Sequence, residues 1–195
     1  MSTAVAPEAP SPVSEPRRSG AWLLVAGLLA RTWLWFVAGC VVITLLPMLF
    51  GWRPFVVESG SMLPRIDVGD VVLAAPVSST DELIGRVTVF DDPNHPGTTK
   101  THRILSVNPD GTMTSKGDAN PQADTGAVHL SDVRGLGRLL VSFVGLPYIW
   151  AETGQFGLVA LFLLTLVLAA AIVSRDQDEE EPTDDDPDGP DADVL

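Results

Sequence analysis

Thr101-His102-Arg103-Ile104-Leu105-Ser106-Val107, then Asn108-Pro109-Asp110-Gly111, then Thr112-Met113-Thr114-Ser115: the fold is read from this stretch. β-branched and apolar residues fill both flanks, and an Asp-Gly pair between two such runs is a strong hairpin signal. Short apolar runs recur on either side of it, at Phe55-Val56-Val57, Val71-Val72-Leu73, residues 86–90 and Val128-His129-Leu130. Turn-forming sequences such as Asp91-Asp92-Pro93-Asn94-His95-Pro96-Gly97 separate them. Many short strands punctuated by Gly, Pro, Asp and Asn predict a mainly β domain with an antiparallel sheet. About 100 residues is enough for one modest core.

Two long apolar runs enclose this domain. Residues 21–50 are apolar but for Arg31, and residues 156–173 carry no charge. A helix needs about 20 residues to cross the hydrocarbon core. Residues 33–50 reach about 27 Å at the helical rise, with Arg31 placed at the interface, where its long stem can snorkel. Trp33 and Trp35 at one end, and Phe50 and Trp52 at the other, fit aromatic belts. The run is too long for the apolar region of a cleaved leader, and no small-x-small site follows it, so an uncleaved anchor is expected. Arg17, Arg18 and Arg31 before the first span and Arg175 after the second mark both termini as cytoplasmic. The expected order is a disordered cytoplasmic arm (1–20), an N-terminal membrane segment (21–50) and an extracytoplasmic β domain (51–154). A second transmembrane helix (155–173) and a disordered cytoplasmic tail (174–195) follow.

The net charge of −13 is concentrated at one end: residues 174–195 carry −10, residues 51–173 only −4 and residues 1–50 carry +1. Nothing here attracts a phosphate backbone, which excludes nucleic acid as a partner class. The single cysteine, Cys40, lies in the first apolar run and makes neither an intrachain disulfide nor a zinc site.

The chemistry centres on Ser59-Gly60-Ser61-Met62-Leu63-Pro64, about nine residues beyond the first apolar run. Glycine allows close backbone approach, so a neighbouring serine can be presented at a groove. A serine hydroxyl needs a base before it becomes a nucleophile. In Thr99-Lys100-Thr101-His102-Arg103-Ile104-Leu105, read as a strand, Lys100 and His102 share one face about 7 Å apart. They are rival bases, and periodicity does not choose between them. His95 sits in a turn and His129 is read as a surface strand residue. Asp118 and Asp124, around Ser115-Lys116-Gly117-Asp118-Ala119-Asn120, are both of the right type to orient an imidazole. Met62 and Leu63 either pack in the core or dip into the outer leaflet.

In this order the motifs resemble the type I signal peptidases (peptidase family S26): Ser59-Gly60-Ser61-Met62-Leu63-Pro64 with Gly69-Asp70, then Thr101-His102-Arg103-Ile104, then Ser115-Lys116-Gly117-Asp118-Ala119-Asn120. The resemblance covers roughly residues 35–175. The bacterial branch commonly has a lysine where this chain has His102, so the chain is similar to the endoplasmic-reticulum-like branch, also found in archaea, with its Ser-His pair. The resemblance implies a membrane-bound serine endopeptidase that removes signal peptides after a small-x-small site. Ser61 would be the nucleophile and His102 the general base. Asp124 would be the third member, with Asp118 the alternative. Ser59 would form the oxyanion hole with the Ser61 N–H. Ala119 and the Pro121-Gln122-Ala123 stretch depart from the branch. Its partners would be signal-peptide-bearing precursors, the lipid bilayer and the secretion translocon, and it needs no metal or organic cofactor. Self-cleaving serine–lysine peptidases are a weaker match, being soluble and carrying a DNA-binding part. A catalytically idle, membrane-anchored β domain that binds or escorts secreted proteins is the alternative from another class.

Overall fold

The computed structural model describes residues 19–178. The expected arm up to residue 18 and the tail beyond residue 178 lie outside the described residues. A six-stranded antiparallel sheet stands between two apolar helices, so the domain is mainly β. The strands are β1 (Arg53–Val56), β2 (Val71–Ala75), β3 (Val87–Asp91), β4 (Thr99–Val107), β5 (Met113–Lys116) and β6 (Val133–Val141). They lie in the order β1-β2-β6-β3-β4-β5. The β4–β5 hairpin turns at Gly111, which takes φ 84° and donates its N–H to the Asn108 carbonyl at 2.9 Å. That positive φ is the reason glycine ends this turn.

β6 lies at the centre of the sheet, pairing with β2 on one side and β3 on the other. Val128-His129-Leu130, just before it, was expected to be a strand. Instead Val128 makes a single bridge to Met113, a 3-10 turn follows at Leu130–Asp132, and the strand begins at Val133. Gly135 and Gly137 hide β6 from sequence reading, because glycine in a run normally signals a break. Here it permits close packing: a Cβ on Gly135 would stand 2.8 Å from the Ala75 carbonyl oxygen. Bulges at Leu73/Ala74 and Val89/Phe90 flank this contact.

Consecutive strand residues point to opposite faces, and the core divides accordingly. Val89 joins Val57, Met62, Ile66, Val72 and Ala74 in one cluster. Its neighbour Phe90 joins Leu83, Ile104, Met113, Val128 and Leu136 in the other. β2 is buried along its whole length, hence its unbroken apolar sequence.

Helix α1 (Ser19–Leu45) runs unbroken through Arg31 and passes into a 3-10 turn, Leu46–Phe50. The helical backbone therefore includes residues 21–30 as well as the expected span. Short helix α2 (Leu146–Glu152) leads to α3 (Phe156–Asp178), which continues five residues past the expected end at 173. The stretches Ala21–Phe50 and Phe156–Arg175 are long and apolar enough to cross a membrane. The two helices pack together, with Trp33 edge-on to Phe162 at 6.3 Å between ring centroids.

Candidate active site

Ser61 lies in a 3-10 turn, Gly60–Met62, entered from an extended Ser59. Two interactions fix the turn. The fully buried Met62 anchors it in the core, and the Ser61 carbonyl accepts the Ala119 N–H at 2.9 Å. Met62 and Leu63 thus have different fates, since Leu63 remains exposed. A Cβ on Gly117 would come within 2.6 Å of the Ser61 carbonyl and 3.0 Å of His102 Nε2. Only glycine lets the Lys116-Gly117-Asp118 turn close over the serine. Gly117→Ala is expected to displace the Ser61 backbone and cut turnover by about 100-fold, a cost typical of a misplacement near 1 Å. Steady-state kinetics on the variant checks it.

His102, on β4, is buried, and its Nε2 is 3.0 Å from Ser61 Oγ. Its Nδ1 is 2.6 Å from Asp124 Oδ2. A carboxylate only accepts, so the ring proton belongs on Nδ1 and the Nε2 lone pair faces the serine hydroxyl. Asp124 is held in turn: the Ser115 hydroxyl donates to its Oδ2 at 2.6 Å, and its own N–H donates to the Ser115 carbonyl at 2.8 Å. Ser115 is fully buried at the end of β5. Nothing in the sequence around Ser115 assigns it this role. The one available signal was a hydroxyl on the strand that pairs with the histidine strand. Ser59 Oγ lies 3.3 Å from Ser61 Oγ.

The other candidates are placed elsewhere. Asp118 is engaged by Arg103 through two hydrogen bonds, Nε–Oδ1 at 2.9 Å and Nη2–Oδ2 at 2.6 Å. The Arg103 guanidinium outweighs burial and holds the Asp118 carboxyl below the usual carboxylate range. Lys100 shares the His102 face of β4, but its Nζ lies 3.1 Å from Asp92 Oδ2. His95 is exposed and also bonds Asp92, at 2.9 Å. His129 precedes the 3-10 turn, its N–H donating to Asp132 at 3.1 Å.

Burial works to raise the Asp92 carboxyl, yet the Asn94 N–H, the His95 ring and the Lys100 ammonium together lower it to about 2. A carboxyl depressed in the folded state stabilises the fold above its unfolded value of about 3.9. That contribution, at most about 2–3 kcal/mol, disappears as pH falls through the interval down to about 2. Thermal unfolding in detergent is expected to show this loss between pH 4 and about 2. Asp92→Asn should lack it; an identical pH profile for wild type and variant refutes the assignment.

A cleft of about 610 Å³ opens over Ser61 and His102, walled by Val56, Val57 and Glu58 on one side and residues 98–101 on the other. A second, wider cleft of about 880 Å³ adjoins it, sharing Gly97 and Thr99. Among the described residues no cluster of His, Cys, Asp and Glu is arranged to hold a metal ion.

Set against known sequences, the chain matches no family model. Over 93 residues it is 33% identical to a curated bacterial protein. It is similar to signal peptidase I W of Bacillus subtilis (strain 168). The aligned stretch covers 45% of this chain and 47% of the relative, so the chain spans about half the length of the curated protein it matches.

Proposed function

We propose that the chain is a membrane-bound serine endopeptidase of the signal peptidase I type, a hydrolase that removes signal peptides from exported precursors. The observation that carries this reading is the continuous relay Ser61–His102–Asp124–Ser115 in an open cleft. Ser61 Oγ attacks the carbonyl after a small-x-small site while His102 Nε2 takes its proton and then delivers it to the leaving amine. Asp124 fixes the imidazole tautomer and stabilises its cation. Ser59 and the Ser61 N–H receive the oxyanion, a contribution of about 3–4 kcal/mol per donor. A histidine in the base position supports the endoplasmic-reticulum-like branch of family S26 as the better reading.

Sheet topology supports strand addition by the substrate. β1 is an edge strand, and β5 pairs with β4 only as far as Arg103, which leaves one side of residues 99–102 unpaired. Both free edges border the cleft. A precursor in extended form would complete them, as in other strand-addition complexes. With both apolar helices crossing the cell membrane and the sheet on the outer side, cleavage sites reach the enzyme at the bilayer surface, beside the translocon. That tethering raises their effective concentration.

The test is incubation of the purified full chain in detergent with a precursor bearing an Ala-x-Ala site, followed by mass analysis of the product termini. A single cut after the second alanine, absent in His102→Ala, is expected. An uncut precursor would leave an idle escort domain as the better description. In the same assay Asp124→Asn is expected to lower kcat about 10⁴-fold through the wrong tautomer. Asp118→Asn should instead lower thermal stability, by about 1 kcal/mol or less for a partly exposed pair.

A further inference from the structure

Asp124 is the member of the relay with the least backbone support. It lies between the end of β5 at Lys116 and the bridge from Val128 to Met113, a stretch that is neither helix nor strand. The carboxylate torsion of an aspartate is broad and roughly two-fold. On such a segment the backbone alone directs neither oxygen at the histidine. Yet both short hydrogen bonds fall on one oxygen: His102 Nδ1 and the Ser115 hydroxyl each lie 2.6 Å from Oδ2. Among the described residues Oδ1 accepts no hydrogen bond. The Asp124 side chain, 12% exposed, lines the cleft.

The sheet places Ser115 for this contact. Ser115 pairs with Ile104 on β4, and the side chains of cross-strand partners share a face. His102, two residues before Ile104, shares that face as well. The serine side chain is fully buried and takes no part in lining the cleft. It therefore meets the acid from the core side, while its carbonyl accepts the Asp124 N–H at 2.8 Å. One strand residue thus holds the acid at two points, main chain and carboxylate. A carboxylate only accepts, so the hydroxyl donates, and a short O–H···O bond to a charged oxygen is among the stronger kinds.

We infer that Ser115 is a positioning residue for the acid: its buried hydroxyl holds Asp124 Oδ2 on His102 Nδ1 and keeps Oδ1 out of that contact. The inference rests on the peptidase reading above. Ser115 touches neither the cleft nor Ser61, so its effect belongs to the chemical step and not to substrate binding. It acts through Asp124, so its loss should count for nothing once that carboxylate is gone.

The experiment measures kcat and KM of the full chain in detergent on a neutral Ala-x-Ala peptide. Ser115→Ala is expected to lower kcat about 10–100-fold with KM within about twofold of wild type, the size of effect that a misplacement near 1 Å produces. Ser115→Thr keeps the hydroxyl on a side chain suited to a strand and should stay within about fivefold of wild type. In an Asp124→Asn background, adding Ser115→Ala should change kcat by less than about twofold. Should a melting curve show that Ser115→Ala does not fold, Ser115→Cys, a weak donor, takes its place in both backgrounds. Three results overturn the inference and leave the peptidase reading standing. They are a kcat within about threefold of wild type in the variant lacking the hydroxyl, a loss in Ser115→Thr equal to that in Ser115→Ala, or an undiminished loss in the Asp124→Asn background. Failure of wild type to cleave the peptide overturns both.

Discussion

Replacing Ser61 by alanine is expected to stop precursor cleavage while leaving the domain folded. The substitution removes one oxygen atom. That atom contributes nothing to the core, since Met62 rather than Ser61 anchors the turn and the Ser61 carbonyl keeps its bond from Ala119. Thermal stability should stay within about 0.5 kcal/mol of wild type. Turnover should fall about 10⁵–10⁶-fold, the loss typical when the nucleophile of a concerted set is removed. Kinetics and a melting curve on the same sample check both parts. Residual cleavage within tenfold of wild type would assign the nucleophile elsewhere, with Ser59 the nearest hydroxyl at 3.3 Å.

The second large effect belongs to His102. His102→Ala removes the group that joins Ser61 to Asp124, so each loses its partner at once. The loss in kcat should match that of Ser61→Ala. The double variant should be no worse than either single one, because residues acting as a unit are not additive. A product of the two losses would mean that they act independently. His102→Ala also leaves the half-buried Asp124 carboxylate with the Ser115 hydroxyl as its remaining side-chain partner. A drop in stability of about 1–3 kcal/mol, absent from Ser61→Ala, should accompany it.

The residues differ in how legible they were. The hairpin at Asn108-Pro109-Asp110-Gly111 and the apolar helices could be read, because turn chemistry and hydrophobic length are local properties. β6 could not: its glycines at 135 and 137 answer to Ala74, Ala75 and Val87, which are remote in sequence. The site shows the same division. Ser61 and His102 stood out through residue type and neighbouring motif. The rivalries of Lys100 with His102 and of Asp118 with Asp124 turned on what else each side chain touches. Asp92 engages Lys100, and Arg103 engages Asp118. Both contacts cross between elements and leave no periodic trace. Ser115 was invisible for the same reason, being distinguished only by its buried hydroxyl against Asp124.

The central position of β6 bears on when the molecule becomes chemically competent. Ser61 lies in the connection from β1 to β2, while His102 and Asp124 belong to β4 and the segment after β5. In the sheet, β1-β2 and β3-β4-β5 touch only through β6. A ribosome supplies this middle strand after all the others. Until residues 133–141 have emerged and docked, the nucleophile rides on one fragment of sheet and its base on another. On the peptidase reading, a nascent chain would therefore keep its serine apart from its histidine until the last strand arrives.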